Sequence, residues 1–252
     1  MLRGLLKNRM PEIRPHAGPA GEQAPAAGGK SGALRAAIFG INDGLVSNLS
    51  LIMGVTGAAV DNKIIVIAGV AGLLAGAFSM AGGEYISMRT QREVFERLIH
   101  LEAHELATEP EEEREELIGI YRRRGVPHDV AEQLVDALHR DPDLALVTHA
   151  REELGLDPEE GLGSPWGAAV SSLLTFAFGA FVPLLPFLLG SGHAATLASI
   201  LASAATLFTV GALMSRLTGK RFYLSGVRML AIGLGLAAIT YGVGRLLHVG
   251  KL

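Results

Sequence analysis

The sequence contains no cysteine, which excludes disulfide bonds and thiolate metal sites. His, Asp, Glu and Met are then the side chains left to bind a metal ion. Charged residues are also scarce, at 19% of the chain, while 49% of the residues are hydrophobic and the mean hydropathy is +0.35. This balance is too apolar for an ordinary soluble domain and indicates a membrane protein.

Charge is scarcest in five apolar segments. They cover about 34–60, 64–88, 166–189, 194–217 and 224–247. Each reaches the roughly 20 residues that a helix needs to cross the hydrocarbon of a bilayer. We therefore predict an all-α, polytopic membrane protein with five transmembrane helices.

The charged residues that remain are distributed unevenly. Residues 89–165 hold 9 Lys and Arg against 20 Asp and Glu, whereas the rest of the chain holds 13 against 5. This asymmetry predicts an acidic insert within a basic membrane body. The predicted organisation is a disordered tail (1–33), transmembrane helices one and two (34–88), the acidic insert (89–165) and transmembrane helices three to five (166–252).

Basic residues near the spans predict the orientation. The tail through Arg35 carries six Lys and Arg, and the link after span four carries Arg216, Lys220 and Arg221. The links on the other side offer only Lys63 and an uncharged turn, so the N-terminus and the insert are expected in the cytoplasm. The tail also lacks the apolar core of a cleavable signal peptide. Five spans then leave the C-terminus outside.

The insert is predicted to be helical. Span two continues past the membrane as TQREVFERLIHLEAHELATE, whose apolar residues recur at helical spacing. Pro110, Pro127 and Pro142 each open a further helix, because proline is well tolerated in a first turn. We expect a small helical bundle that projects into the cytoplasm.

Ionisable side chains within the spans indicate a transport pathway. Asp43, Ser47 and Ser50 form one polar stripe in span one, and Met80 and Glu84 share a face of span two. No basic residue lies mid-span nearby in sequence to neutralise the two carboxylates. Because burying such groups in hydrocarbon is costly, an ion pathway is the default hypothesis.

The insert offers a second candidate site, in which acidic and imidazole side chains share helix faces. The pairs at i, i+3 or i, i+4 are Glu102 with Glu105, Glu113 with Glu116, and His149 with Glu153. If the three faces converge, they would suit Fe²⁺, Mn²⁺ or Zn²⁺. The alternative is that these residues form solvated acidic surfaces, as is expected for Glu111, Glu112 and Glu115.

The segments FGINDGLVSN and SMAGGEYIS, together with the apolar spans that follow the insert, resemble the vacuolar iron transporter family over roughly residues 35–247. The resemblance implies a homodimer of five-span protomers in the bilayer that moves Fe²⁺ out of the cytoplasm in exchange for protons. The pathway would lie between the subunits. Family pathway residues map onto Asp43 and Met80, with Glu84 next along the same face.

The same resemblance implies that the insert collects metal. The matching ligands are Glu102, Glu105, Glu113, Glu116 and Glu153. Iron-transporting members carry a methionine where this chain has His149, and an imidazole also suits Zn²⁺ and is proton-sensitive near neutral pH. Mn²⁺ and Zn²⁺ therefore remain alternatives to Fe²⁺ as the transported ion.

No permanently bound cofactor, no nucleic acid partner and no enzymatic activity are expected. A passive metal channel and a membrane-anchored metal sensor stay open as alternatives. A ferritin-like di-iron oxidase would need two Glu-x-x-His motifs, and the sequence has none. The host membrane would be the cell membrane in a prokaryote and the vacuolar membrane in a eukaryote.

Overall fold

The structure is a computed structural model that describes residues 29–58, 61–156 and 163–248. Within these ranges the chain forms eight α-helices and no β-strand, which confirms the prediction of an all-α protein for this part of the chain. The helices are α1 (Gly29–Gly57), α2 (Asn62–Thr108), α3 (Pro110–Arg123), α4 (His128–Leu138), α5 (Pro142–Glu152), α6 (Pro165–Leu189), α7 (Gly192–Thr218) and α8 (Phe222–His248).

Five of these helices, α1, α2, α6, α7 and α8, are long and apolar enough to cross a membrane. Their surfaces carry many large exposed apolar side chains, including Phe78, Leu189 and Leu246. Exposed apolar surface on this scale is expected where helices contact lipid. The predicted membrane protein with five candidate spans is therefore confirmed, while the sidedness of its termini and insert stays a prediction.

Helix α1 packs mainly against α6 and α8. Glycines bring the backbones close together: a Cβ on Gly44 would collide with the backbone of Phe176, and one on Gly179 with that of Ile41. Small residues are a usual means of close helix approach in a bilayer. The buried core beside these contacts includes Leu45, Leu49, Ile52, Leu184, Phe187 and Leu207. This packing holds the polar side chains of α1 beside α2.

Helix α2 joins the membrane part of the protein to the insert. It is a single helix of 47 residues, so the predicted extension of span two is confirmed. Asp61 caps its start by accepting a hydrogen bond of 2.9 Å from the backbone N–H of Lys63. At 1.5 Å per residue its length is about 70 Å, more than twice the hydrocarbon thickness of a bilayer. Its distal half therefore lies outside any membrane that its apolar half spans.

Helices α3 and α5 pack against α2, and α4 packs against α3 and α5. Their apolar core comprises Leu117, Ile118, Ile120, Ala131 and Val135. Arg114 Nε lies 2.7 Å from Asp136 Oδ1 and ties α3 to α4, while Arg124 pairs with Glu152 and ties the end of α3 to α5. Exposed ion pairs such as these contribute at most about 1 kcal/mol each, so the apolar core is the main determinant of the bundle.

The predicted boundary of the N-terminal tail is wrong at its inner end. Helix α1 begins at Gly29, so residues 29–33 are helical and not part of a disordered tail. Once a helix is formed, each added residue gains a backbone hydrogen bond, and a polar flank can thus continue an apolar span by a turn. The rest of the predicted tail lies outside the described residues.

Candidate metal centre

The three predicted ligand faces of the insert meet at one point. Glu102 from α2, Glu113 from α3, and His149 and Glu153 from α5 each place one ligand atom within 4.8 Å of the others. Glu102, Glu113 and His149 are buried, and the side chain of His149 is fully enclosed. Three carboxylates gathered in a buried place are costly unless something positive joins them.

The Nδ1 atom of His149 is the centre of this cluster. It lies 3.1 Å from Glu102 Oε1, 3.4 Å from Glu113 Oε2 and 3.8 Å from Glu153 Oε2. Ligand bonds of about 2.0–2.2 Å place neighbouring donor atoms about 3 Å apart and opposite ones slightly beyond 4 Å. A divalent ion therefore fits among these four donors with little movement.

Several atoms of the cluster lack hydrogen-bond partners. The Nδ1 of His149, the Oε1 of Glu102 and the Oε2 of Glu153 are all buried without a well-aligned hydrogen bond, although the first two are only 3.1 Å apart. Buried polar atoms are nearly always paired, and an exception calls for an explanation. Carboxylates that converge on one buried point have the arrangement expected around a cation, either the protonated ring of His149 or a metal ion that replaces its proton.

The electrostatics of the cluster favour bound protons when no metal is present. Burial and the charges of Glu102 and Glu153 raise the pKa of Glu113 to about 7. Burial by itself disfavours the charged form of His149, but contacts with Glu102 and Glu153 outweigh it and raise the pKa of His149 to about 9. An entering divalent ion would replace these protons, since metal ligands bind in their deprotonated form.

Two of the predicted insert ligands are not part of the converging set, although both interact electrostatically with Glu102 and Glu153. Glu105 and Glu116 are not among the residues whose ligand atoms converge, and Glu116 is exposed. The solvated acidic surface predicted for Glu111, Glu112 and Glu115 is present, since all three side chains are exposed.

A residue that the sequence did not single out completes the surroundings of His149. His139, the first residue after α4, has its Nε2 atom 3.1 Å from Nε2 of His149. Burial and the neighbouring charges of His149 and Arg114 lower the pKa of His139, which favours the neutral form of its ring. No helical spacing links two residues on different elements, and the pair is visible only in the folded chain.

A groove with mainly apolar walls and a few polar side chains lies within the membrane part of the protein. It has a volume of about 400 Å³ and is bounded by α1, α2 and one aromatic residue of α6, Phe176. Asp43 and Ser47 of α1 and Met80 of α2 line it, so two of the three predicted pathway residues, Asp43 and Met80, face the same space. A carboxylate and a thioether that face one space could bind a divalent ion transiently as it moves along the pathway.

Glu84 and Asn48 complete the description of this region. Glu84 lies one turn beyond Met80, outside the groove lining, and its Oε2 atom is buried without a hydrogen bond. Asn48, which the sequence did not suggest, lines the groove and donates a 2.6 Å hydrogen bond from Nδ2 to the carbonyl of Ala180. Its Oδ1 atom is buried and unpaired. Asn48 lies five residues from Asp43, so it is not on the polar helix face that Asp43 shares with Ser47, and helical spacing did not indicate it.

Comparison with known proteins agrees with the resemblance seen in the two sequence segments. The sequence model of the VIT family matches residues 34–245. This chain belongs to the VIT family. Vacuolar iron transporter 1 of Oryza sativa subsp. japonica is 32% identical over 217 residues, which are 84% of each chain. Vacuolar iron transporter 1 of Arabidopsis thaliana is 34% identical over 194 residues, or 75% of each chain.

Membership of the VIT family assigns the chain to membrane transporters and not to enzymes, as predicted. The match begins within α1 and ends within α8, so it includes both the groove and the insert. Vacuolar iron transporter homolog 1 of Oryza sativa subsp. japonica is 35% identical over 214 residues, which are 84% of this chain and 73% of that protein.

Proposed function

We propose that this protein is a transporter of divalent metal ions, with Fe²⁺ as its main substrate, that moves the ion out of the cytoplasm in exchange for protons. The observation that carries the proposal is the cluster of Glu102, Glu113, His149 and Glu153, which places four metal-ligating atoms within 4.8 Å of one another at a largely buried site. The names of the VIT family relatives, which are iron transporters, support Fe²⁺ as the substrate. Mn²⁺ and Zn²⁺ suit the same donors.

The insert and the groove bind metal ions as two separate sites. Glu102 and Met80 are 22 residues apart on the continuous helix α2, which is about 33 Å at 1.5 Å per residue. No direct transfer between the two sites spans that distance. The insert instead concentrates cations near the mouth of the pathway through its bound ions and its negative field. Glu84, one turn from Met80 on the side of the insert, is placed to receive them first.

Proton exchange would follow from the carboxylates of the pathway. Asp43 and Glu84 lie in apolar spans, and among the described residues no salt bridge joins either carboxylate to a basic side chain. In such surroundings a carboxylate is stable either protonated or bound to a cation. A group that releases a proton when a metal ion arrives, and takes one up when the ion leaves, links the two fluxes in opposite directions.

We further propose that the protein works as a homodimer in which the groove faces the partner. Within the protomer only 17% of the apolar window of α2 is buried, against 39% for α1 and for α6. Helix α2 thus presents the most unpartnered face of these three helices, and it carries Met80. A partner on this face would enclose the groove and leave the insert accessible. The N-terminus and insert are proposed to be cytoplasmic, in a vacuolar or a cell membrane according to the host.

A flux experiment tests the proposal. Purified protein is reconstituted into liposomes that contain a pH-sensitive dye, and Fe²⁺, Mn²⁺ or Zn²⁺ is added in turn. We expect metal uptake with a matching proton flux in the opposite direction, and loss of both in Asp43→Asn. Asp129→Asn, which makes the same change on the exposed face of α4, is the control and should transport normally. Metal uptake without proton flux would identify a passive channel instead, and normal uptake by Asp43→Asn would remove Asp43 from the pathway.

A further inference from the structure

The two nitrogen atoms of the His149 ring face different surroundings. Nδ1 points into the cluster of carboxylates, 3.1 Å from Glu102 Oε1 and 3.4 Å from Glu113 Oε2. Nε2 points away from the carboxylates and lies 3.1 Å from Nε2 of His139. Only Nδ1 can therefore share an ion with the carboxylates.

A neutral imidazole carries one N–H and one lone pair, so its tautomer decides which nitrogen can bind metal. For Nδ1 to offer its lone pair to an ion, the hydrogen must be on Nε2. An N–H at Nε2 of this buried ring needs an acceptor, because a buried donor without one is costly. The nitrogen of His139 at 3.1 Å is the partner that the structure provides for that hydrogen.

We propose that His139 is a positioning residue: it accepts a hydrogen bond from Nε2–H of His149, and so holds that ring in the orientation and tautomer that present Nδ1 to the metal ion. This inference rests on the proposed role of the insert in binding metal and adds a residue to it. A residue that hydrogen-bonds the ring nitrogen of a histidine ligand that does not bind the metal fixes the orientation of that ring. Such residues commonly contribute about 10- to 100-fold to metal affinity.

The position of His139 suits this role. It is the residue that ends α4, and its backbone N–H donates a 2.9 Å hydrogen bond to the carbonyl of Val135, whose side chain is fully buried in the core of the insert. The backbone of His139 is thereby anchored to the bundle. Its ring is half-buried, and its centroid lies 5.2 Å from that of the His149 ring.

A metal ion bound between the two Nε2 atoms is the competing interpretation, since two nitrogens on one tetrahedral ion lie slightly more than 3 Å apart. Such an ion needs further ligands. Among the described residues, the cluster of His, Asp and Glu able to hold an ion contains His149 but not His139. The hydrogen bond is therefore favoured.

Two variants at position 139 distinguish a hydrogen-bond acceptor from a metal ligand. His139→Gln keeps an acceptor oxygen near the position of Nε2, whereas His139→Leu removes it at similar volume. The full-length protein in detergent is titrated with Zn²⁺, a diamagnetic probe, by calorimetry. We expect His139→Leu to weaken Zn²⁺ binding about 10- to 100-fold and His139→Gln to restore most of the loss. A loss in His139→Gln as large as in His139→Leu, with fewer ions bound, would show that His139 is a ligand and overturn the proposal.

Nuclear magnetic resonance of ¹⁵N-histidine-labelled protein supplies a readout that does not depend on metal affinity. We expect a scalar coupling between Nε2 of His149 and Nε2 of His139 through the shared hydrogen, and, with Zn²⁺ bound, an Nε2–H tautomer for His149. A hydrogen carried by His139 Nε2 and donated to His149 would contradict the proposal, because Nδ1 of His149 would then hold the other hydrogen. If the coupling is present in the natural chain but His149→Ala binds Zn²⁺ as tightly as the natural chain does, the hydrogen bond stands and the proposed metal site fails.

Discussion

Metal binding by the insert should depend steeply on pH, because His149 and Glu113 must both lose a proton before they can act as ligands. The pKa of His149 is raised to about 9 and that of Glu113 to about 7. Raised values mean that protons are held to higher pH, so affinity falls as pH falls. Between about pH 8 and about pH 6, protons on His149 cost about a hundredfold in affinity and those on Glu113 about tenfold.

The combined loss is about a thousandfold, which corresponds to about 4 kcal/mol. The same two groups fully exposed, with pKa values of 6.5 and 4.5, would lose only about fourfold over that interval. The difference is large enough to distinguish a buried cluster from a solvated acidic face. The two protonation steps belong to the cluster as a whole, since Glu102 and Glu153 interact with both groups.

Calorimetry of the full-length protein in detergent measures this dependence. Mn²⁺ is titrated at about pH 6, 7 and 8, in two buffers of different ionisation enthalpy so that released protons are counted. His149→Met removes the larger contribution and should make the pH dependence shallower than in the natural chain, leaving the part that Glu113 and its neighbouring carboxylates contribute. A fourfold change in the natural chain would refute the reasoning and return these residues to the solvated surface.

Three further predictions follow from the packing and the ligand set. Gly244→Ala should destabilise the protein by about 1–3 kcal/mol in thermal unfolding, because its Cβ would collide with the carbonyl of Gly54. Gly242→Ala, which has nothing near its Cβ, is the control and should not destabilise the protein. Equal effects of the two changes would mean that α1 and α8 do not pack as described. His149→Met should lower Zn²⁺ affinity more than Fe²⁺ affinity in competition titrations, because it exchanges an imidazole for a softer thioether, and an unchanged ratio would make the site carboxylate-only. Changing Glu102 and Glu113 together to Gln should weaken Mn²⁺ binding and leave cross-linking of the proposed dimer as it is in the natural chain, because these charges lie far from the spans. Loss of cross-linking in this variant alone would contradict that separation.

Local sequence patterns were sufficient for the elements of the fold. The five apolar segments predicted the five candidate spans, and Pro110 and Pro142 predicted the starts of α3 and α5 as first helical residues. Periodicity was less informative where no apolar stretch marked the boundary, and the helical residues 29–33 were missed for that reason. The pairing of Asp43 with Met80 depended on the family resemblance, since spacing within one helix carries no information about another.

Sequence spacing by itself determined which ligand candidates share a helix face: Glu102 lies with Glu105, and Glu113 with Glu116. Only the tertiary structure decided which member of each pair turns inward, because that depends on how α2, α3 and α5 are rotated against the apolar core of the insert. Glu102 and Glu113 meet His149, while Glu105 and Glu116 do not join the converging group. The raised pKa values and the contact with His139 arise from the same packing, since burial and proximity between distant segments exist only in the folded chain.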